Sequence, residues 1–421
     1  MTALVVRGDA RALPLPDGSV DLIVTSPPFY ALRSYQDGGE HYEGQIGSEA
    51  TPAEYIDALV DCTREWMRVL KPTGSLFVNL GDKYGRPGGG ADVNPRTLPG
   101  AGKGTTRRVR TASDGGGRDK CLMLLPERYR IACVDQLGLI ARAEIVWSKP
   151  NGLPESVTDR VRRSHEQWFH FVIRPHYYSA VDEIREPASD YARPNGNGRA
   201  ARGGQRPRMM LDACNPLGKL PGSVWSIPSE PLVIPPAVAH ARCCGGRDPE
   251  CQRGVDHYAA FPTEWPRRII TGWSPPGICV ECGEGRRPVA DKTLMVDHIQ
   301  ARKRGFGEGT GRGALGNHGA GAGKVNGSYS VAITGYACAC PEPTAPTRPA
   351  VVVDPFGGTG TTALMADVLG RTGISVDRSM DYARLAVWRT TDPGERARAM
   401  RVPKPPVPLA GQPVLTGLEM P

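Results

Sequence analysis

The chain has 421 residues, 39% of them hydrophobic, which allows one large domain with insertions or two to three smaller units. Its 52 Gly and 40 Pro exceed the roughly 29 and 21 of average usage, so much of the chain is expected in turns and loops. A net charge of +8 mildly favours an acidic partner, and no apolar run approaches the ~18 residues of a membrane span, which predicts a cytoplasmic protein.

The amino-terminal part predicts alternating strands and helices. Residues 4–6 form a short apolar run, and residues 20–25 form a longer one that ends at two prolines. Thr51 and Glu54 have the spacing of a capping box with proline at the first helical position, and apolar residues at helical spacing follow. The apolar run 75–80 predicts the next strand, so this part of the chain is of the α/β type.

Long irregular stretches interrupt this pattern. Residues 86–120 carry eight Lys and Arg against three Asp, and they contain almost no core-forming residues. A solvated flexible loop is the safer interpretation, and contact with phosphates is the functional one. A second basic stretch spans 193–219, and a Gly-dominated one spans about 301–327. Strands are predicted over 141–147, 168–173, 350–353 and 374–376. One helix is predicted over 122–137, and another follows the turn after strand 350–353 and ends at about 369.

The strongest motif lies between an apolar strand and a helix. Glycines at the end of a strand let the backbone pass close to a ligand and open the next helix. Asp377 ends the following strand 17 residues past Gly360, where an acidic side chain can bind ribose hydroxyls. Such a turn can also serve packing alone, but this order of elements predicts a nucleoside-cofactor site. The motif reads Asp354-Pro355-Phe356-Gly357-Gly358-Thr359-Gly360-Thr361-Thr362.

A second motif, Ser26-Pro27-Pro28-Phe29, follows the buried strand 20–25. Successive prolines fix the backbone and lack N–H groups, so the Ser26 and Pro27 carbonyls can accept hydrogen bonds from an incoming amine. The ring of Phe29 offers a surface on which a planar base can stack. Alone, this turn could simply end a strand.

Together the two motifs resemble the S-adenosylmethionine-dependent DNA amino-methyltransferases, in the permuted (beta-class) branch whose catalytic motif precedes the cofactor motif. Three further stretches resemble the same family. Gly8-Asp9-Ala10 resembles its acidic turn on the adenine side of the cofactor, and 257–262 resembles its motif near the methionine end. Residues 147–150, with Arg163, His165 and Glu166, resemble the segment that follows its catalytic half. The resemblance implies the catalytic residues Ser26, Pro27, Pro28 and Phe29. For S-adenosyl-L-methionine it implies Asp9, Ala10, Phe261, Pro262, Asp354, Phe356, Gly357, Gly358, Thr359, Gly360, Thr361 and Asp377.

The resemblance also implies the reaction and the fold. A base flipped out of double-stranded DNA would stack on Phe29 while its exocyclic amine donates hydrogen bonds to Ser26 and Pro27. Serine in the first position favours cytosine N4 over adenine N6. The fold would be a doubly wound, mostly parallel α/β sheet, with the catalytic and cofactor strands adjacent at a switch point. A paired restriction endonuclease is possible, and alternatives are methylation of RNA or a protein amide, or a catalytically silent DNA-binding homologue.

The resemblance divides the chain into eight segments. These are 1–85 (catalytic half), 86–120 (basic flexible insertion), 121–185 (methyltransferase core), 186–254 (target-recognition or insertion region), 255–275 (cofactor-side motif), 276–349 (Cys-rich insertion), 350–392 (cofactor-binding half) and 393–421 (disordered tail).

Eleven cysteines in a chain without a recognisable signal peptide favour metal ligation or reduced thiols over a disulfide framework. Cys279 and Cys282 have the spacing of a zinc knuckle, and Cys338 and Cys340 offer two more thiolates for a closed structural site. Because segment 276–349 is poor in apolar residues, we expect it to be cross-linked at its base, with 302–330 as an exposed loop. Rival or additional ligands are Cys243, Cys244, Cys251 and His240.

Overall fold

An eight-stranded sheet with helices on both faces forms the core of the described chain. The computed structural model describes residues 3–32, 36–37, 40–41, 44–85, 119–152, 154–187, 215–230, 232, 234, 260–295, 328–341 and 344–404. The predicted basic stretches lie outside these residues apart from 119–120 and 215–219. His240, Cys243, Cys244, Cys251 and residues 257–259 and 301–327 lie outside them as well.

The sheet is mostly parallel, which confirms the predicted fold class. The first five strands across it run parallel, the sixth is antiparallel to both of its neighbours, and the eighth is parallel to the seventh. In order across the sheet, and numbered in chain order, the strands are β1 (Ala3–Arg7), β14 (Thr372–Asp377), β13 (Val351–Asp354), β2 (Val20–Thr25), β5 (Leu70–Leu80), β7 (His165–Val172), β6 (Ile140–Ser148) and β8 (Val224–Ser226). Strands β3 (Gln36–Asp37) and β4 (Glu40–His41) pair with each other outside this sheet.

Helices cover both faces of the sheet, so its central strands are buried on both sides. On one face lie α1 (Pro52–Val69), which begins at the predicted Thr51–Glu54 capping box, and α2 (Leu125–Asp135). On the other face lie α3 (Glu264–Trp273) and α4 (Thr361–Val368). The chain continues through α5 (Met380–Thr391) and α6 (Pro393–Met400). Within the described residues, no helix is both long and apolar enough to cross a bilayer.

The strand order reverses between β13 and β2, which come from opposite ends of the chain. They pair in parallel, with Val352 opposite Leu22 and Val353 opposite Ile23. From β2 the chain passes through α1 to β5 on one side, and from β13 it passes through α4 to β14 on the other. Such a reversal leaves a crevice at the carboxyl ends of the two strands, where ligands bind in this class of sheet. The predicted switch point is therefore confirmed.

The second half of strand β7, Trp168–Val172, is apolar apart from His170 and is buried on both faces of the sheet. Trp168 faces α3 and stacks on Trp265 with ring centroids 4.9 Å apart, and Trp225 stacks on the same Trp265 ring at 5.0 Å. The next residue, Phe169, belongs to the core on the opposite face. Because both faces of this strand are covered, neither side requires polar residues. The aromatic stack fixes α3 on this face of the sheet. The helix begins shortly after Phe261, which lies at the cavity edge.

Two expectations differ from the structure. Of the tail 393–421, predicted to be disordered, residues 393–400 form α6, whose N-cap Asp392 accepts a hydrogen bond from the Glu395 backbone N–H. Residues 405–421 lie outside the described residues. The Cys-rich insertion contains an antiparallel hairpin, β10 (Arg287–Met295) and β11 (Ser328–Ala337), that its sequence did not predict. Its second strand begins inside the expected exposed loop 302–330, and that boundary was wrong.

Candidate active site

The Ser-Pro-Pro-Phe turn leaves the sheet at the end of β2, between β13 and β5. The hydroxyl of Tyr55, on α1, donates to the Pro28 carbonyl at 2.9 Å and holds the turn against that helix. In the described part of the chain, the hydrogen bonds to this turn engage the Pro28 and Phe29 carbonyls rather than that of Pro27. The Pro27 carbonyl therefore remains available as an acceptor at the cavity wall.

A buried amide orients the serine hydroxyl. Ser26 Oγ donates to Asn79 Oδ1 at 3.0 Å, and Asn79 Nδ2 donates to the Gln167 carbonyl at 3.1 Å. Because the second bond fixes which side of the amide is the acceptor, the hydroxyl hydrogen of Ser26 points towards Asn79. The lone pairs of Ser26 Oγ are then left to accept a hydrogen bond from a ligand. Sequence reasoning missed Asn79, which ends up beside Ser26 only because β5 pairs with β2.

The Phe29 ring lies directly on the backbone of Gly81. A Cβ atom at position 81 would come within 2.6 Å of the Phe29 Cε2 atom, so only glycine allows this ring position. Phe29 lines the cavity together with Ser26 and Asn79, and the Gly81 backbone packs closely against its ring. The ring is thus fixed as a platform for a planar group.

The glycine-rich turn lies directly against β14. A Cβ atom at Gly357 would meet Ser375 Oγ at 1.9 Å, and Gly360, at φ +74°, begins α4 in the left-handed region. Asp377 Oδ2 accepts a hydrogen bond from the Gly358 N–H at 2.9 Å, and Oδ1 accepts one from the Ser379 N–H at 2.9 Å. The acid at the end of β14 therefore orders the turn, and each carboxylate oxygen can accept a further hydrogen bond from a ligand.

Asp354 joins the two motifs. It is fully buried, and its Oδ1 accepts from Thr25 Oγ1 at 2.7 Å and from the Phe356 N–H at 3.1 Å. Its Oδ2 accepts from Thr362 Oγ1 at 2.9 Å. Burial raises the pKa of Asp354 to about 6, and these donors oppose the rise. Asp354 does not line the cavity, so its role here is to align the two turns.

The acidic turn after β1 carries a strong local ion pair. Arg11 donates to both carboxylate oxygens of Asp9, at 3.1 and 2.8 Å. These hydrogen bonds from Arg11 hold the pKa of Asp9 below its usual value. Asp9 is therefore a carboxylate at neutral pH, placed across the cavity from Phe29 by the pairing of β1 with β14.

A single cavity of about 260 Å³ collects the residues of both motifs. It lies at the carboxyl ends of β2, β13 and β14, as expected for an α/β sheet. All four predicted catalytic residues line it: Ser26, Pro27, Pro28 and Phe29. Nine predicted cofactor residues also line it: Asp9, Ala10, Phe261, Phe356, Gly357, Gly358, Thr359, Thr361 and Asp377. Pro262, Asp354 and Gly360 do not line it.

One wall of the cavity carries a charged pair that the sequence placed near the catalytic half. Lys149 forms an ion pair with Glu166, and its Nζ lies 4.1 Å from the centroid of the Trp147 ring. All three residues line the cavity. The pair adds a cation and an indole ring to the lining of the cavity that the Ser-Pro-Pro-Phe turn also lines.

Three of the four predicted metal ligands come together. The sulfur atoms of Cys279, Cys282 and Cys338 lie within 4.8 Å of one another, whereas Cys340 is outside this group. Backbone N–H groups of Cys282 and Glu281 donate to the Cys279 sulfur and lower the pKa of that thiol to about 7. None of the four cysteines lines the cavity.

The fold and cavity define an α/β protein with a cavity between a Ser-Pro-Pro-Phe turn and a glycine-rich turn. The family model described as DNA methylase (N6_N4_Mtase) matches residues 20–280. The chain therefore belongs to this family of DNA methyltransferases.

Similar proteins include two type II methyltransferases. M.SmaI of Serratia marcescens is 34% identical over 275 residues, which are 65% of this chain and 76% of that protein. M.Cfr9I of Citrobacter freundii is 31% identical over 277 residues, 65% of this chain and 74% of that one. Among solved structures, the PvuII DNA methyltransferase (cytosine-N4-specific) aligns with a TM-score of 0.48 and 16% identity over 94% of this chain and 89% of that chain.

The raised pKa of Asp354 predicts how stability depends on pH. The folded state disfavours ionisation, so the contribution of this carboxyl is fully present below about pH 4 and is lost as the pH rises through about 6. Asp354→Asn removes this loss, and its free energy of unfolding should gain about 2 kcal/mol relative to the wild type between about pH 4 and pH 7. Urea unfolding of both proteins at the two pH values measures the difference between their free energies of unfolding. All other groups titrate alike in the two proteins, so their contributions cancel. A gap that is independent of pH would contradict the assignment.

Proposed function

We propose that this protein transfers a methyl group from S-adenosyl-L-methionine to the N4 amine of a flipped cytosine at a specific site in double-stranded DNA. The observation that carries the proposal is the shared cavity, in which the turn at Ser26–Phe29 faces the glycine-rich turn and Asp377. When bound, S-adenosyl-L-methionine would supply an activated methyl group on its sulfonium and would leave as the thioether S-adenosyl-L-homocysteine, while the methylated amine loses one proton to solvent. The residues around the cavity supply positioning, on which an in-line transfer mainly depends.

The cavity residues fit this cofactor at two positions. At Gly357, a Cβ would clash with Ser375, so the turn presents bare backbone to a ligand. At Asp377, the carboxylate can accept hydrogen bonds from ribose hydroxyls as well as from the turn. Asp9 lies on the same wall and adds a second carboxylate for the polar groups of the nucleoside.

The catalytic turn holds the target amine. A cytosine stacked on Phe29 would direct its N4 amine towards Ser26 Oγ and the Pro27 carbonyl, both acceptors in this geometry. Two accepted hydrogen bonds draw the nitrogen lone pair out of conjugation with the ring and aim it at the methyl group. Because the Ser26 hydroxyl donates its hydrogen bond to Asn79 Oδ1, Ser26 Oγ can act towards the amine as an acceptor.

Cytosine is preferred because serine stands first in the motif, where an aspartate is usual in N6-adenine enzymes that this chain resembles. Adenine N6 is the alternative product within the same class. A catalytically silent DNA-binding homologue is a second alternative, but such a protein would require neither the oriented Ser26 nor the supported Phe29 ring. Methylation of RNA or a protein amide is a further rival.

We also propose a cytoplasmic setting and a restriction endonuclease counterpart, since the relatives named above are type II methyltransferases. The basic stretches 86–120 and 193–219 would contact DNA phosphates, which supply affinity without sequence information. Zinc takes no part in methyl transfer in this proposal, because none of the predicted cysteine ligands lines the cavity.

Labelled S-adenosyl-L-methionine tests the reaction directly. The protein is incubated with mixed DNA, RNA and protein acceptors, and the acceptors are digested to nucleosides and amino acids. We expect label in N4-methylcytosine from DNA. Label in N6-methyladenine would refute the cytosine assignment but would still identify a DNA amino-methyltransferase. Label in RNA or protein alone would refute DNA as the substrate. The variant Phe29→Ala provides a control in which labelling should be slower but should fall on the same product.

Two substitutions should separate catalysis from cofactor binding. Phe29→Ala removes the stacking platform, which is worth about 1–3 kcal/mol, so kcat should fall roughly 5- to 150-fold while the Kd for S-adenosyl-L-methionine changes less than about twofold. Asp377→Ala removes charge-assisted hydrogen bonds of about 1.5–3 kcal/mol and should weaken cofactor binding by roughly 10- to 150-fold. Calorimetry gives the Kd values, and Phe29→Tyr is the matched control that should stay active. Equal effects of both alanine variants on the Kd would contradict these roles.

The amide of Asn79 should act through Ser26. Asn79→Leu removes the acceptor for the hydroxyl hydrogen and should lower kcat by about tenfold, the effect of one hydrogen bond of roughly 1.4 kcal/mol, without changing the cofactor Kd. Asn79→Asp keeps an acceptor for Ser26 and should retain more turnover than the leucine variant. If both variants lose turnover equally and unfold at the same lower urea concentration, the role of Asn79 is merely structural.

A further inference from the structure

The cysteine group lies at the edge of the sheet opposite the cavity. Cys279 belongs to β9 (Ile278–Cys279), which pairs with β12 (Thr347–Arg348) just before β13 begins. The cavity lies at the other end of β13, where the strand finishes at Asp354. The thiols therefore serve a purpose separate from methyl transfer.

The local backbone is folded around the sulfur atoms. Gly283, at φ +72°, closes a tight turn in which its N–H donates to the Cys279 carbonyl at 3.0 Å. The Cys279 N–H in turn donates to the Glu284 carbonyl at 2.9 Å. N–H groups of Cys282 and Glu281 point at the Cys279 sulfur. Hydrogen bonds to a ligand atom also fix its orientation, as the outer shell does around metal sites.

The adjacent hairpin has no core of its own. Among those residues of β10 and β11 whose exposure is described, none is buried. An isolated two-stranded hairpin is marginally stable in water. The contacts at its base are polar: Tyr178 donates to the Arg286 carbonyl at 3.0 Å, Tyr336 donates to Glu183 Oε2 at 3.1 Å, and Arg286 donates to the Gly277 and Ala345 carbonyls at 2.9 and 2.6 Å. A cross-link at the base would supply the missing stability.

We propose that Cys279, Cys282 and Cys338 bind one structural Zn²⁺, with Cys340 as the fourth ligand, and that this ion clamps the base of the β10–β11 hairpin to the β9–β12 ladder. The thiolates come from both sides of the hairpin, so one ion closes the whole insertion. Thiolate ligands select zinc among the common divalent ions, and four of them leave no open position for catalysis.

The geometry needs only small adjustments. Tetrahedral zinc with Zn–S bonds of about 2.3 Å places its sulfur ligands about 3.8 Å apart. The three sulfur atoms, already within 4.8 Å of one another, would move together by about 1 Å. Cys340 is half-exposed and follows Cys338 by only two residues, which makes it the described thiol nearest in sequence to the group and the choice for the fourth position.

Metal analysis of the full-length protein, purified without chelator, tests the proposal first. We expect about one zinc per chain, and replacement by Co²⁺ should give the thiolate-to-cobalt charge-transfer absorption of a four-sulfur site. Removal of the metal should expose the hairpin to proteolysis between 287 and 337 while the Kd for S-adenosyl-L-methionine changes less than about twofold. Absence of zinc after incubation with Zn²⁺, or a disulfide among these cysteines in the unreduced protein, would overturn the site.

Serine variants test the ligand set. Cys282→Ser and Cys338→Ser should each lose zinc, and Cys121→Ser, at an exposed cysteine outside the group, is the matched control that should retain it. Cys340→Ser should weaken zinc binding at least tenfold in a chelator competition, and unchanged affinity would overturn its assignment as the fourth ligand. If a ligand variant fails to fold, release of zinc from the wild type by a thiol-modifying reagent gives the same answer, because four thiols per zinc should react.

Discussion

The active-site region depends on one buried contact, the hydrogen bond from the Thr25 hydroxyl to the Asp354 carboxylate, between residues 329 positions apart. It lies where β2 and β13 end side by side, so the catalytic turn and the glycine-rich turn leave the sheet from a common point. The Thr362 hydroxyl holds the other carboxylate oxygen and also reaches the Val24 carbonyl, which locks the start of α4 to β2. Burial makes ionisation of Asp354 costly, and these donors offset part of that cost.

Those features that are local in sequence could be predicted. The capping box at Thr51, the Ser-Pro-Pro-Phe turn and the glycine-rich turn each carry their own backbone chemistry, and the structure places the turns as expected. Asn79 and Gly81 could not be predicted in the same way. They gain their roles only because β5 pairs with β2, and an asparagine or glycine at the end of a strand has many other uses.

Errors arose where stability comes from contacts that composition does not show. Residues 393–400 read as part of a Pro-rich tail, yet α6 is fixed by an Asp392 cap and by the buried pair of Arg389 with Glu395. Arg389 also donates to the hydroxyls of Thr359 and Thr361 in the glycine-rich turn. The last described helix thus supports the cofactor side of the cavity through a buried arginine, a link that sequence spacing cannot reveal.

The cysteine group and the cavity lie at opposite ends of β13, and they can act independently because β13 is hydrogen-bonded to a neighbouring strand along each of its edges. Its residues pair with β14 from Val351 to Asp354 and with β2 at Val352 and Val353. A change at the β9–β12 ladder must therefore break these hydrogen bonds before it displaces Asp354. The cysteine group can order the hairpin at one edge without disturbing the cavity at the other. This insulation explains how a glycine-rich insertion of some seventy residues can be carried just before the cofactor strand.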